Sequence, residues 1–366
     1  MQNILNPKIY DALLQIMSIY PDKFSEKEKI EIEILLEHCL VDIQDDSEKF
    51  LTALIIKALK TLVGEPVYQE HDFLGKYEIA QIDLFNVLVN KFPFVKWSHD
   101  IANKAISQQL KDASEAVIVD IGIGQGIQIE SLLKILDTTN NLEKVIVVGI
   151  EPFKDALDMA KQKLEAMGPE LSFQLEVVCC NAFIQEMDLA GLNDIISNYD
   201  GEIIINSVLT LHHLPTLNDR LNVISNLREL SPKGIVLVEP NSDHFEPDFN
   251  KRFQNCYQHF YHVFQVIDKL DIDKTSKNGL KLFFGREIDD ILGKINSERF
   301  EKHEPAIRWI EKLIYSGFIV RNNFLNNLPR TNSGIRVEYC DEGYLGFNFK
   351  SETILSVIYA EPNTRF

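Results

Sequence analysis

The run Val117-Ile118-Val119-Asp120-Ile121-Gly122-Ile123-Gly124-Gln125-Gly126 restricts what this chain can fold into. Its first five residues are apolar except for Asp120, the pattern of a strand buried on both faces. Three alternating glycines follow. Ile129, Leu132, Leu133 and Leu136 then recur at helical spacing. Strand, glycine turn and helix in this order open a parallel α/β sheet. Glycine lets the backbone turn sharply and come close to a ligand with no Cβ in the way.

The glycine spacing is Asp-x-Gly-x-Gly-x-Gly. A dinucleotide fingerprint needs two more residues before its last glycine, and a P-loop needs Gly-Lys-Ser/Thr. The turn resembles the first motif of Rossmann-like methyltransferases. That likeness implies S-adenosylmethionine (SAM) as cofactor, held near Asp120, Gly122, Gly124 and Gly126.

Downstream, apolar runs at 145–150, 173–180, 202–208 and 235–239 alternate with helical faces, so the sheet is read as mostly parallel with right-handed crossovers. After Pro240 the alternation breaks. Phe253, Tyr257, Phe260, Phe264 and Ile267 mark a long helical face, read as a helical insertion over about 241–316. The sheet resumes after Gly317. Three short β-rich segments, with Asp341-Glu342-Gly343 as a turn, predict an antiparallel C-terminal hairpin. Residues 1–95 read as a helical cap, with Ser25 and Glu28 forming a capping box, Gly64-Glu65-Pro66 as a stop and a further helix over 78–90. Residues 96–366 form the α/β core.

The chain carries 37 basic and 55 acidic residues, net −18, which repels phosphate backbones and anionic membranes. Nucleic acid and membrane are therefore not expected as partners. The N-terminus lacks the pattern of a secretory signal. Cys39, Cys179, Cys180, Cys256 and Cys340 are scattered, with no Cys-x-x-Cys pair. They read as reduced thiols in a cytoplasmic protein, with neither zinc nor a disulfide framework.

Ligands on such sheets bind beyond the carboxyl ends of the strands. Polar residues there are the candidates. Glu151 ends the second strand, where a carboxylate can accept both ribose hydroxyls of adenosine; otherwise it is a solvated loop acid. Asn181 ends the third, to meet adenine or simply to make a turn. His212 and His213 follow the fourth, as a general base or as packed loop residues. No third ligand at metal spacing accompanies them. Glu239, Asn241, Asp243 and His244 crowd the end of the fifth. Arg252, Tyr257 and Tyr261 lie on the insertion helix, Tyr257 reading as core.

Several short motifs resemble the GRAS-domain family. Pro93-Phe94-Val95-Lys96-Trp97-Ser98 and Ala102-Asn103-Lys104-Ala105-Ile106 look like the segment before that family's VHIID motif. Residues 117–120 with Gly126-Ile127-Gln128 are similar to VHIID itself, and Leu211-His212-His213-Leu214 to its leucine-histidine position. Val238-Glu239, His244, Phe249, Arg252-Phe253, Phe260-Tyr261 and Gly285-Arg286-Glu287-Ile288 resemble PFYRE. Residues 299–304, Trp309 and Gly317-Phe318 resemble the run before SAW. Ser356-Val357-Ile358-Tyr359-Ala360 departs from SAW by lacking its tryptophan. The resemblance implies a Rossmann-type methyltransferase fold with a helical cap. Bacterial members look like small-molecule methylases; plant members act through partners and largely lose the alternating glycines that this chain keeps.

Together these point to a SAM-dependent methyltransferase acting on a small molecule held by cap, insertion and strand ends. Asp120, Gly122, Gly124, Gly126, Glu151 and Asn181 would bind the cofactor. His213, Glu239 and His244 would share one rim as catalytic residues, with His212, Asn241, Arg252 and Tyr261 contacting substrate. The alternative is a non-catalytic GRAS-like module that senses a ligand, forms a homodimer or docks a protein partner through its N-terminal helices.

Overall fold

The computed structural model describes residues 7–17, 25–65, 67, 81–187, 189–328 and 334–364. Among the described residues four α-helices come first: α1 (Pro7–Met17), α2 (Glu26–Leu40), α3 (Ser47–Val63) and α4 (Gln81–Lys91). Then α5 (Pro93–Gln109) precedes β1 (Glu115–Ile121), α6 (Ile127–Thr139), β2 (Lys144–Ile150), α7 (Lys154–Met167), β3 (Gln174–Cys180), α8 (Leu189–Ile196), β4 (Glu202–Val208), α9 (Leu217–Glu229) and β5 (Gly234–Pro240). Helices α10 (Phe249–Asp268), α11 (Lys274–Gly293) and α12 (Ala306–Tyr315) follow. Strands β6 (Phe318–Val320), β7 (Ile335–Tyr339), β8 (Leu345–Phe349) and β9 (Glu352–Pro362) close the chain.

Two compact units result. One holds Met1–Phe92 with Ser242–His303, the other Pro93–Asn241 with Glu304–Phe366. The predicted insertion therefore divides: α10 and α11 cluster with the N-terminal helices, whereas α12 belongs with the sheet.

In the sheet unit the strand order is β3-β2-β1-β4-β5-β9-β8-β7, with β6 also on β9. Strands β1 to β5 are parallel and β9 runs antiparallel to β5, the mostly parallel α/β sheet with antiparallel C-terminal strands that the sequence predicts. The apolar runs have the physical consequence expected of them: Ala116 to Ile121 and Val145 to Ile150 are buried throughout. Trp309, Ile310 and Leu313 of α12 share one core with Val117, Val119, Ile235, Leu237 and Ile358. That burial explains why α12 leaves the inserted helices. Gly343, with φ +102, makes the turn between β7 and β8, as the Asp341-Glu342-Gly343 signal predicts.

In the helical unit the capping box forms, Glu28 accepting from the Ser25 N–H and Ser25 Oγ from the Glu28 N–H. Gly64 ends α3 with φ +72; Pro66 and the first residues of the predicted 78–90 helix lie outside the described residues. Phe253, Tyr257, Phe260, Phe264 and Ile267 are all buried, so the α10 stripe is core. The Tyr257 hydroxyl donates to Glu48 at 3.1 Å. Gly285 of α11 lets that helix approach α3, since a Cβ there would stand 3.0 Å from a Leu54 methyl.

Candidate cofactor and active site

The three glycines after β1 have three different surroundings. Gly122 (φ +79) lies under Thr210, whose side chain fills the place of a Cβ. Gly126 (φ +73) precedes α6, and a Cβ there would stand 3.2 Å from the Ala160 methyl of α7. Gly124 (φ +51) faces open space, with nothing within 4 Å of where a Cβ would be. All three φ values are ones that side-chain-bearing residues rarely adopt.

Glu151 reaches the same turn from the end of β2. One carboxylate oxygen accepts from the Gly124 N–H at 3.1 Å, the other from the Phe153 N–H at 3.0 Å. It is buried, not a solvated loop acid. Each oxygen keeps acceptor capacity beyond these bonds. Asn181 ties the end of β3 to the end of β2, its amide donating to the carbonyls of Glu151 and Pro152 at 2.9 and 2.8 Å. Phe153 and Phe183, each two residues past one of these polar groups, have exposed rings, 69% and 37%.

Asp120 is buried at the end of β1, where Asn206 of β4 donates to it at 2.6 Å. The Asn206 amide exchanges bonds with Gln128, and Gln128 with Asn103 of α5. These four residues form a buried polar chain behind the turn, each satisfied by the next as low-dielectric burial requires. Burial pushes the Asp120 carboxyl up to about 7; the Asn206 bond opposes this and the Glu151 charge adds to it. Its folded value lies above its unfolded one, so this group's contribution to stability is lost as pH rises toward 7.

The loop after β4 is clamped from both ends. Leu209 adopts φ +55, a backbone state strained for a branched residue, and its N–H donates to the Val238 carbonyl. Glu239, fully buried, accepts from the N–H groups of Thr210 and Leu211 at 3.3 and 2.8 Å. Its other oxygen pairs with His212 Nδ1 at 2.5 Å. Burial favours the neutral acid, but His212 and the loop N–H donors outweigh it and hold the Glu239 carboxyl below its usual value. Arg220 of α9 takes the other side, donating to the carbonyls of His212 and Leu214 while pairing with Glu304. Lys312 also donates to Glu304, at 3.0 Å. The product of this clamp is an exposed His213 ring, its centroid 4.1 Å from that of the buried His212.

The remaining predicted residues have structural bonds. Asn241 donates to the Thr353 carbonyl and accepts the first N–H of α12. In the helical unit Arg252 donates to the carbonyls of Ile291, Glu246 and Pro247. Tyr261 is buried and stacks on Tyr257. The Asp243 carbonyl accepts from Asn255. His244, expected on a rim with His213 and Glu239, belongs to the helical unit, where it meets other histidines.

Sequence reasoning missed Asn103, Gln128, Asn206, Thr210 and Arg220. Asn206 carried a signal: it is a polar residue inside the apolar run of β4, as Asp120 is in β1.

Residues 23–343 match the model of the GRAS domain family. The chain belongs to the GRAS domain family. Among its relatives, Scarecrow-like protein 5 of Arabidopsis thaliana is 27% identical over 252 residues, 64% of this chain and 41% of that protein. Chitin-inducible gibberellin-responsive protein 1 of Oryza sativa is 23% identical over 333 residues, 80% of this chain and 57% of that protein. This GRAS chain thus spans about half the length of the curated relatives it matches. In fold it is similar to SCL7 of Oryza sativa, with a TM-score of 0.77 at 20% identity over 96% of this chain and 99% of that one.

Proposed function

We propose that this GRAS protein binds SAM at the turn after β1 and transfers its methyl group to a small molecule. The observation that carries the reading is Gly124, a positive-φ glycine facing open space whose N–H is held by Glu151. The donor set fits. Asp120 and Glu151 suit a ligand bearing positive charge and ribose hydroxyls, and the exposed rings of Phe153 and Phe183 offer apolar faces to a base. Asn181 Oδ1 adds an acceptor. Thr210 over Gly122 narrows the approach to the Gly124 side.

When bound, SAM supplies an electrophilic methyl on a sulfonium. The protein's part is mainly to hold an acceptor in line and to exclude water. Glu239 and Arg220 fix the loop that presents His213, and an exposed imidazole there can take a proton from an acceptor that carries one. The net charge of −18 argues for a small molecule over nucleic acid or an anionic membrane. No helix among the described residues is long and apolar enough to cross a membrane. The scattered spacing of the five cysteines, with no Cys-x-x-Cys pair, supports a cytoplasmic setting.

Glu151→Ala tests the site. It should weaken SAM by about 1.5–3 kcal/mol, the scale for hydrogen bonds to a charged group. Unchanged affinity in a calorimetric titration of the folded variant would remove Glu151 from the site.

One observation supports a second reading. Ile30, Ile34 and Val41, at 61%, 61% and 60% exposure, make an apolar stripe along and just beyond α2. In that reading the N-terminal helices dock a protein, a second copy included, and the GRAS unit is non-catalytic.

A further inference from the structure

The helical unit contains a hydrogen-bonded line of four side chains that the methyl-transfer reading does not use. Ser242 Oγ lies 3.0 Å from His244 Nε2. His244 Nδ1 lies 2.8 Å from His303 Nδ1, and His303 Nε2 lies 3.1 Å from Glu301 Oε2. One assignment of protons satisfies every link in a single direction. The Ser242 hydroxyl donates to His244, the His244 Nδ1–H to His303, and the His303 Nε2–H to Glu301.

The backbone holds this line in place. The N–H groups of His244 and Phe245 both donate to the His303 carbonyl at 3.0 Å, and Arg299 donates to the His244 carbonyl at 2.8 Å. Phe260 stacks on the His244 ring and His259 meets it edge-on. Both inner histidines are buried, Ser242 is half-buried, and the Glu301 side chain is 17% exposed. The line therefore runs from a half-buried serine, through two buried imidazoles, to a carboxylate that reaches water.

We propose that Ser242 is an activated nucleophile, with His244 as its base and His303–Glu301 as a relay, able to accept an acyl or phosphonyl group from an activated ester or fluorophosphonate. In acyl transfer the Ser242 Oγ–carbon bond forms and the ester carbon–oxygen bond breaks; with a fluorophosphonate the Oγ–phosphorus bond forms and the phosphorus–fluorine bond breaks, releasing fluoride. The hydroxyl proton passes to His244 Nε2, the Nδ1 proton to His303 and the Nε2 proton of His303 to Glu301. The alkoxide leaves and takes a proton from water. The relay has a physical reason. Burial, and then the neighbouring His303 and His259, hold the His244 imidazole neutral, so a second proton cannot rest there. Passing it on leaves a neutral acid at Glu301 instead of a buried imidazolium.

The test uses the full chain and a fluorophosphonate probe, and it is independent of SAM binding. Intact mass should show one adduct, which peptide mapping places on Ser242. Ser242→Ala should remove it. His244→Gln should slow labelling at least tenfold, and Glu301→Gln should slow it less. Melting curves of each variant establish that it is folded; if His244→Gln does not fold, Glu301→Gln and Ser242→Ala carry the test. No adduct on Ser242 of the folded wild-type chain would overturn the proposal. So would labelling at an equal rate in folded His244→Gln or, if that variant is lost, in Glu301→Gln.

Discussion

Gly124→Val is expected to leave a folded chain that no longer binds SAM. Two effects act at this position. The φ of +51 costs a side-chain-bearing residue about 1–2 kcal/mol, small against the stability of a domain of this size. The larger effect is steric. Nothing stands within 4 Å of the new Cβ, so the isopropyl group meets no protein atom at its base and occupies the space a ligand would need. Loss of affinity by more than about a hundredfold, roughly 2.8 kcal/mol, is the expected calorimetric result. The comparison with Gly122 sharpens it. A side chain at Gly122 would collide with Thr210, so Gly122→Val should lower the melting temperature as well as binding. Wild-type affinity in Gly124→Val would place the ligand elsewhere.

Arg220→Met is expected to destabilise the sheet unit by about 3–5 kcal/mol, the cost of removing one partner of a buried ion pair. Arg220 is fully buried, pairs with Glu304, and supplies the donors for the carbonyls of His212 and Leu214. Methionine keeps the length and removes every donor. Glu304 then has Lys312 as its remaining ion-pair partner, and the two carbonyls lose their Arg220 donors. Urea unfolding reads the change as a lower midpoint. Arg220→Met with Glu304→Gln should recover none of the loss, because it leaves the buried Lys312 without its carboxylate. A single-variant loss under about 1 kcal/mol would show that the pair contributes little to holding the loop.

The parallel sheet was legible because its signals are local. A strand buried on both faces must be largely apolar, and the buried stretches of β1, β2, β4 and β5 are, with Asp120, Asn206, Ser207 and Glu239 as the polar exceptions. The place of Glu151 beside the glycine turn was legible for a similar reason: a carboxylate directly after such a strand has few places to go. The rest depended on registers that periodicity does not carry. Asn206 meets Asp120 because β4 pairs with β1 at that level, and Gln128 and Asn103 close the chain from two helices. Thr210 sits over Gly122 only because Glu239 captures the loop N–H groups. Glu239 read as a catalytic residue on a rim shared with His213 and His244, yet its bonds hold the loop together. The layer of α12 was illegible as well. An amphipathic helix shows that it buries a face but not against what, and Trp309 and Leu313 bury theirs against the sheet.

The central claim is that this GRAS chain binds SAM at the β1 turn. It is tested most directly by titrating the wild-type protein with SAM in a calorimeter at pH 6 and pH 8. A cationic ligand beside Asp120 favours the carboxylate, and that carboxyl sits at about 7 in the free protein. Saturable one-to-one binding that tightens several-fold at the higher pH is the predicted result. No heat of binding at either pH, in a chain shown to be folded, would contradict the account.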